Sequence, residues 1–145
     1  MSNAIIGLKT QMQIEDSSSP GIFFTIAEVL SITALSLSTE SVDVTNMDSP
    51  DKYMEFIPGL RDSGELSFDI NYIFGNATHG SSTGILQDFE DAETTVRNFK
   101  IIFPDIGATT WSFSGFVTGF TLNDPVDTTV TASITIKVTG KPTFA

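Results

Sequence analysis

Cysteine is absent from this 145-residue chain, which excludes a disulfide framework, a thiol nucleophile and a thiolate zinc site. Histidine occurs once, as His79, so no site that needs two imidazoles can be built. Basic residues are scarce: seven Lys and Arg stand against 18 Asp and Glu, giving a formal charge of −11. A protein that grips nucleic acid neutralises phosphates with Lys and Arg, so tight DNA binding is not expected. No apolar run approaches the ~18–20 residues that cross a bilayer as a helix, and no membrane partner is expected. The start, Met1 to Lys9, lacks the basic stretch that precedes the apolar part of a secretory signal. Synthesis and folding in a reducing cytoplasm is the expectation.

What is present is enough for a core. Hydrophobic residues make up 40% of the chain, too many for a disordered one. The length and the lack of a low-complexity linker argue for a single domain over 1–145. Its dominant pattern is period-2 alternation, the mark of half-buried strands. Val130, Ala132, Ile134, Ile136 and Val138 alternate with Thr131, Ser133, Thr135 and Lys137. Leu66, Phe68, Ile70 and Tyr72 alternate with Glu65, Ser67, Asp69 and Asn71. Shorter runs appear at Phe99, Ile101 and Phe103, and at Leu8, Thr10, Met12 and Ile14. From Trp111 to Leu122 the phase slips around Gly115 and Gly119, where a bulge or bend is expected. Two further strands are expected over 22–30 and 32–44. The fold class that follows is mainly β, an antiparallel β-sandwich or partly closed barrel.

Two segments depart from alternation. Ser82 or Thr83 can cap a helix over about 83–93, with Ile85, Leu86 and Phe89 on one face and acids on the other. Asn46 to Ser63 reads as a long loop. It carries Met47, Tyr53, Met54, Phe56, Ile57 and Leu60, too apolar for a solvated tether. Structureless loops beyond ~12–15 residues usually carry function, and large apolar groups need burial against the domain or another subunit. These six are the expected interface residues.

Enzymatic signals are weak. Gly80-Ser81-Ser82-Thr83-Gly84 matches the Gly-x-Ser-x-Gly nucleophile elbow, but that motif needs a strand-to-helix turn and a later histidine. His79 precedes the serine, so a Gly/Ser loop explains the same residues. His79 itself reads as a solvated turn histidine rather than a general base or ligand. Asp48, Asp51 and Asp62 lack the alternating spacing that wraps oxygens around calcium. No catalytic residue, metal or cofactor is expected, and a structural or binding role is favoured over an enzyme.

In order and spacing, several blocks resemble the tail tube (major tail) protein family of long-tailed, lambda-type bacteriophages. They are Thr25-Ile26-Ala27-Glu28-Val29, Val42-Asp43-Val44-Thr45, Asp48-Ser49-Pro50 and Glu55-Phe56-Ile57-Pro58-Gly59-Leu60-Arg61-Asp62-Ser63-Gly64-Glu65. Further along come Phe103-Pro104-Asp105, Asp124-Pro125-Val126-Asp127 and Thr139-Gly140-Lys141-Pro142-Thr143. The resemblance implies a β-sandwich with a flanking helix, assembled as hexameric rings stacked into a hollow tube. It implies a place in the virion tail, assembly in the host cytoplasm, and contact with tape-measure and tail-completion or tail-tip proteins. DNA would pass through without adhering. The 46–63 loop would then reach neighbouring subunits, and 2–6 would order on assembly. The polar-face acids Glu65 and Asp69 are candidates to line the channel and repel phosphates within a Debye length of about 8 Å. The alternatives are a monomeric β-sandwich binding or adhesion module, and the tube of a contractile or secretion-type injection system.

Overall fold

The computed structural model describes residues 4–16, 19–33, 35–79, 84–86 and 96–144. Nine strands follow in chain order: β1 (Gln11–Glu15), β2 (Phe23–Thr25), β3 (Val29–Thr33), β4 (Ser38–Asp43), β5 (Phe56–Asp62), β6 (Glu65–Asn71), β7 (Arg97–Ile102), β8 (Thr110–Asn123) and β9 (Thr131–Phe144). Every ladder is antiparallel. Seven strands form one sheet in the order β2-β1-β7-β8-β9-β6-β3, and β4 with β5 forms a separate two-stranded ribbon.

Chain length forces the large sheet to roll. Its edge strands β2 and β3 are joined only by Ile26, Ala27 and Glu28. Four Cα steps reach at most about 15 Å. Seven strands laid flat would hold their edges about 29 Å apart. The connector bonds to both sides, since Ile26 N–H donates to the Met12 carbonyl at 2.8 Å and Asn71 N–H donates to the Glu28 carbonyl at 3.0 Å. No strand ladder closes the roll among the described residues. The fold is mainly β and antiparallel, as expected from the sequence, and the rolled sheet, whose halves face each other across the core, does not close into a barrel.

That core is what the alternation dictates. Leu66, Phe68 and Ile70 of β6 and Ala132, Ile134, Ile136 and Val138 of β9 point inward. Met12, Ile14, Phe99, Ile101, Phe113 and Val117 meet them from the other strands. The 14-residue strands β8 and β9 serve both halves of the roll. Their register shifts between Ser112 and Ser114 and again between Val117 and Gly119, beside the two glycines where the phase slips. At Gly115 a Cβ would stand 2.5 Å from the Lys137 carbonyl, so the two backbones approach where only glycine fits.

Two expectations need correction. The strands expected over 22–30 and 32–44 break into β2, β3 and β4, because the chain turns at Ala27 and Glu28 and 35–37 pair with no strand. The segment 46–63 is only partly a loop, since Phe56–Asp62 is strand β5. Of the flanking helix expected over 83–93, only 84–86 lies among the described residues, where Ile85 and Leu86 are helical; the rest of the span lies outside them.

Candidate assembly surfaces

The ribbon is the first surface. Its register pairs Ser38 with Asp62, Val42 with Ile57 and Asp43 with Phe56, with a bulge between Thr39 and Ser41. Between the strands, 44–55 form a loop held by its own hydrogen bonds. Val44 N–H donates to the Glu55 carbonyl at 2.9 Å, and the Ser49 hydroxyl donates to the Glu55 carboxylate at 2.6 Å. Hydrophobic burial contributes almost nothing here, because every residue of β4 is exposed and β5 has only Gly59 partly covered. Met47, Tyr53, Met54, Phe56, Ile57 and Leu60 are all exposed, Leu60 to 82%. Leu37, Val42 and Val44 extend the same apolar surface onto and beside β4 and escape a reading that stops at Asn46. A two-stranded ribbon alone is marginal in water, so its apolar groups ask for a partner.

Polar contacts fix the ribbon at its root. The Asp62 carboxylate accepts from Gly64 N–H at 2.8 Å and pairs with Lys137 Nζ at 3.3 Å. The Gly64 N–H and then Lys137 hold this carboxyl below its ordinary value. The Ser63 hydroxyl donates to the Gly140 carbonyl at 2.9 Å. Gly64 has φ +71°, and a Cβ there would collide with the Ser36 carbonyl, so the chain can cross at this point only as glycine. At the ribbon's other end the Thr45 hydroxyl and backbone N–H lower the Asp43 pKa.

The second surface is the outward face of four strands, β3, β6, β9 and the C-terminal part of β8. Cross-strand register lines its side chains into rows. One row is Ser31, Asp69, Ser133 and Thr121; the next is Thr33, Ser67, Thr135 and Gly119; a third is Asn71, Thr131 and Asn123. Both candidate channel acids stand on this face. Asp69 accepts from the hydroxyls of Ser133 at 2.7 Å and Ser31 at 3.2 Å. Glu65 is exposed and stands opposite Lys137. The edges of this half-sheet matter as much as its face. β3 ends the sheet, and β7 pairs with β8 only over Thr110–Gly115, so the stretch after Gly115 has no ladder on its far side among the described residues. Sequence alternation identifies the face but gives no sign of these edges, which depend on strand order.

The residues weighed for chemistry are dispersed. His79 is fully buried, contrary to the solvated turn expected. Its Nδ1 accepts from Ile73 N–H at 3.1 Å and its Nε2 donates to the Ala27 carbonyl at 2.7 Å, so it pins the turn after β6 to the β2–β3 connector. Of the Gly-x-Ser-x-Gly stretch, 80–83 lies outside the described residues. Among the described residues no three His, Asp or Glu side chains converge as a metal site.

The family described as "Lambda phage tail tube protein, TTP" matches residues 9–145. No curated protein matches the chain. Among solved structures, the six-fold symmetric tail of an empty gene transfer agent particle is similar at 22% identity and a TM-score of 0.78, covering 98% of this chain and 99% of that one. The sheath/tube terminator of an extracellular contractile injection system is similar at 13% identity and TM-score 0.74, covering 100% and 99%. The SPP1 tail tube is similar at 12% and 0.65, covering 94% and 77%. Likeness at these identities establishes the shared fold.

Proposed function

This chain belongs to the lambda phage tail tube protein family, and we propose that six copies close into a ring through the two open edges of the β3-β6-β9-β8 half-sheet. The chain is thus a structural component of phage-type virion tails, and its role is to polymerise into a tube. The observation that carries the ring geometry is the half-sheet itself. It has four strands, so β3 and β8 run in opposite directions, and β3 of one copy can pair antiparallel with the second half of β8 in the next. Repetition around an axis closes such a contact. The polar rows then face the bore, with Glu65 and Asp69 among them, while the buried core lies behind. Six-fold symmetry is taken from the gene transfer agent tail.

Stacking of rings uses the ribbon. Its exposed apolar side chains, Tyr53, Phe56, Ile57 and Leu60 above all, bury against a neighbouring copy, with Met47 and Met54 at the tip. Tape-measure and tail-completion or tail-tip proteins are the further partners, DNA transits the bore, and assembly takes place in the host cytoplasm. Electron microscopy of concentrated protein tests the reading, with hollow tubes as the expected result. Phe56→Asp is expected to leave a folded monomer, judged by circular dichroism, and no tubes. Normal tubes from that variant would remove the ribbon from the assembly.

A further inference from the structure

The root of the ribbon and the end of β9 enclose a groove of about 530 Å³. Leu37 and Phe144, both about half exposed, line it together with Arg61 and Lys141. Its one carboxylate, Asp62, is engaged by Gly64 N–H and Lys137, and Glu40 and Glu65, the next acids along the chain, do not line it. Cations are scarce in a chain with seven Lys and Arg and a formal charge of −11. Lys137 pairs with Asp62, Lys100 lies over the Phe23 ring, and the Arg97 guanidinium donates to the Glu15 carbonyl. The side chains of Arg61 and Lys141 have no ion pair or hydrogen bond among the described residues. Two uncompensated positive charges beside apolar groups fit an acidic segment with an exposed apolar side chain.

The turn between β8 and β9 has that chemistry. Asp124, Val126 and Asp127 are exposed, Val126 fully, and no basic residue occurs from Asn123 to Val130. The ribbon tip is acidic too, but Lys52 follows Asp51 there and the Ser49 hydroxyl occupies Glu55. β8 and β9 pair with Asn123 opposite Thr131 and Trp111 opposite Phe144, so turn and groove lie at the two ends of one hairpin. Gly140 is nine positions beyond Thr131, about 30 Å along the strand, and no residue of the turn lines the groove of its own copy. We propose that the Asp124–Asp127 turn of one copy seats in this groove on a copy in the next ring. Val126 then packs against Leu37 and Phe144, and the two carboxylates stand beside Arg61 and Lys141. The inference rests on the reading of the chain as a stacked tube. A contact between two different patches is heterologous, and one that advances along an axis does not close. The β3–β8 joint closes sideways, whereas this one repeats from ring to ring. It also fixes which way round a ring docks, because turn against turn or groove against groove sets like charges together.

Tube length in electron micrographs, with rings counted apart from tubes, tests the contact. Arg61→Glu/Lys141→Glu and, separately, Asp124→Lys/Asp127→Lys are each expected to shorten tubes about fivefold or more and to leave hexameric rings. A chain with all four substitutions exchanges the signs and is expected to recover length within about twofold of the parent. Should the reversals prevent folding, judged by circular dichroism, Arg61→Gln/Lys141→Gln takes their place, with shortening of about twofold or more expected. Tubes of parent length from either cation variant, or shortening that the four-substitution chain does not relieve, would overturn the proposal. Recovery by Asp48→Lys/Asp51→Lys in place of the turn substitutions would overturn it as well, by giving the groove to the ribbon tip. Parent protein that forms neither rings nor tubes would instead sink the tube reading, and this seat with it.

Discussion

His79 shows how a residue's role is set by what reaches it across the fold. In sequence it sits among Asn76, Ala77, Thr78 and Gly80, small and polar neighbours that read as a solvent-facing turn. In the structure the Ala27 carbonyl, 52 positions away, arrives at 2.7 Å, and the ring stacks beside Tyr72 with centroids 5.8 Å apart. No local signal encodes that contact. Gly115 and Gly119 are the opposite case, because their effect is the phase slip itself and can be read along one strand. His79→Phe keeps a ring of similar size and leaves Ile73 N–H and the Ala27 carbonyl without partners. Each partly buried group left unpaired costs about 1–3 kcal/mol, so urea unfolding should show a loss of about 2–6 kcal/mol. A loss below about 1 kcal/mol would mean that the bracket does not hold the connector in place.

Among elements, β6 and β9 were legible and the ribbon was not, for a physical reason. A strand shows alternation when one face is buried and the other wet. Strands β4 and β5 have neither face buried, so Phe56 and Ile57 stand side by side and Pro58 and Gly59 follow without conflict. Their apolar content was visible, and their pairing was not. The ribbon instead depends on polar clamps, which makes it sensitive to acid. Asp43 and Asp62 have pKa values below the ordinary 3.8, set by Thr45 in the first case and by Gly64 and Lys137 in the second. A carboxyl depressed in the folded state stabilises it above the ordinary value, and this contribution is lost as pH falls through the lowered one. Hydrogen-exchange protection of the ribbon, corrected for intrinsic rates, should therefore drop below pH 3.8, ahead of protection in β6 and β9. Equal protection at pH 5 and pH 3 would show that the clamps do not hold it.

At the scale of the molecule, the rolled sheet gives one chain two unpaired edges, β3 and the second half of β8, among the described residues. Roll and strand order come from pairing over long sequence separations, so they are absent from any local pattern; only the polar face they display could be read in advance. The absence of cysteine makes the proposed joint directly testable. Antiparallel neighbours hold opposed Cα atoms about 4.5–5.5 Å apart, inside the span a disulfide can bridge. One cysteine at Ser31 or Thr33 on the β3 edge, combined with one at Thr121 or Asn123 on the β8 edge, gives four double variants that sample the register. Within a monomer these edges lie on opposite sides of β6 and β9, so oxidation should link only different copies. In assembled tubes at least one variant should yield a denaturant-resistant ladder that stops at six chains, because the ring closes there. A ladder that stops at two would mean a face-to-face dimer, one that runs on without limit would mean an open helix, and no product from any of the four would leave β3 and β8 without a common joint.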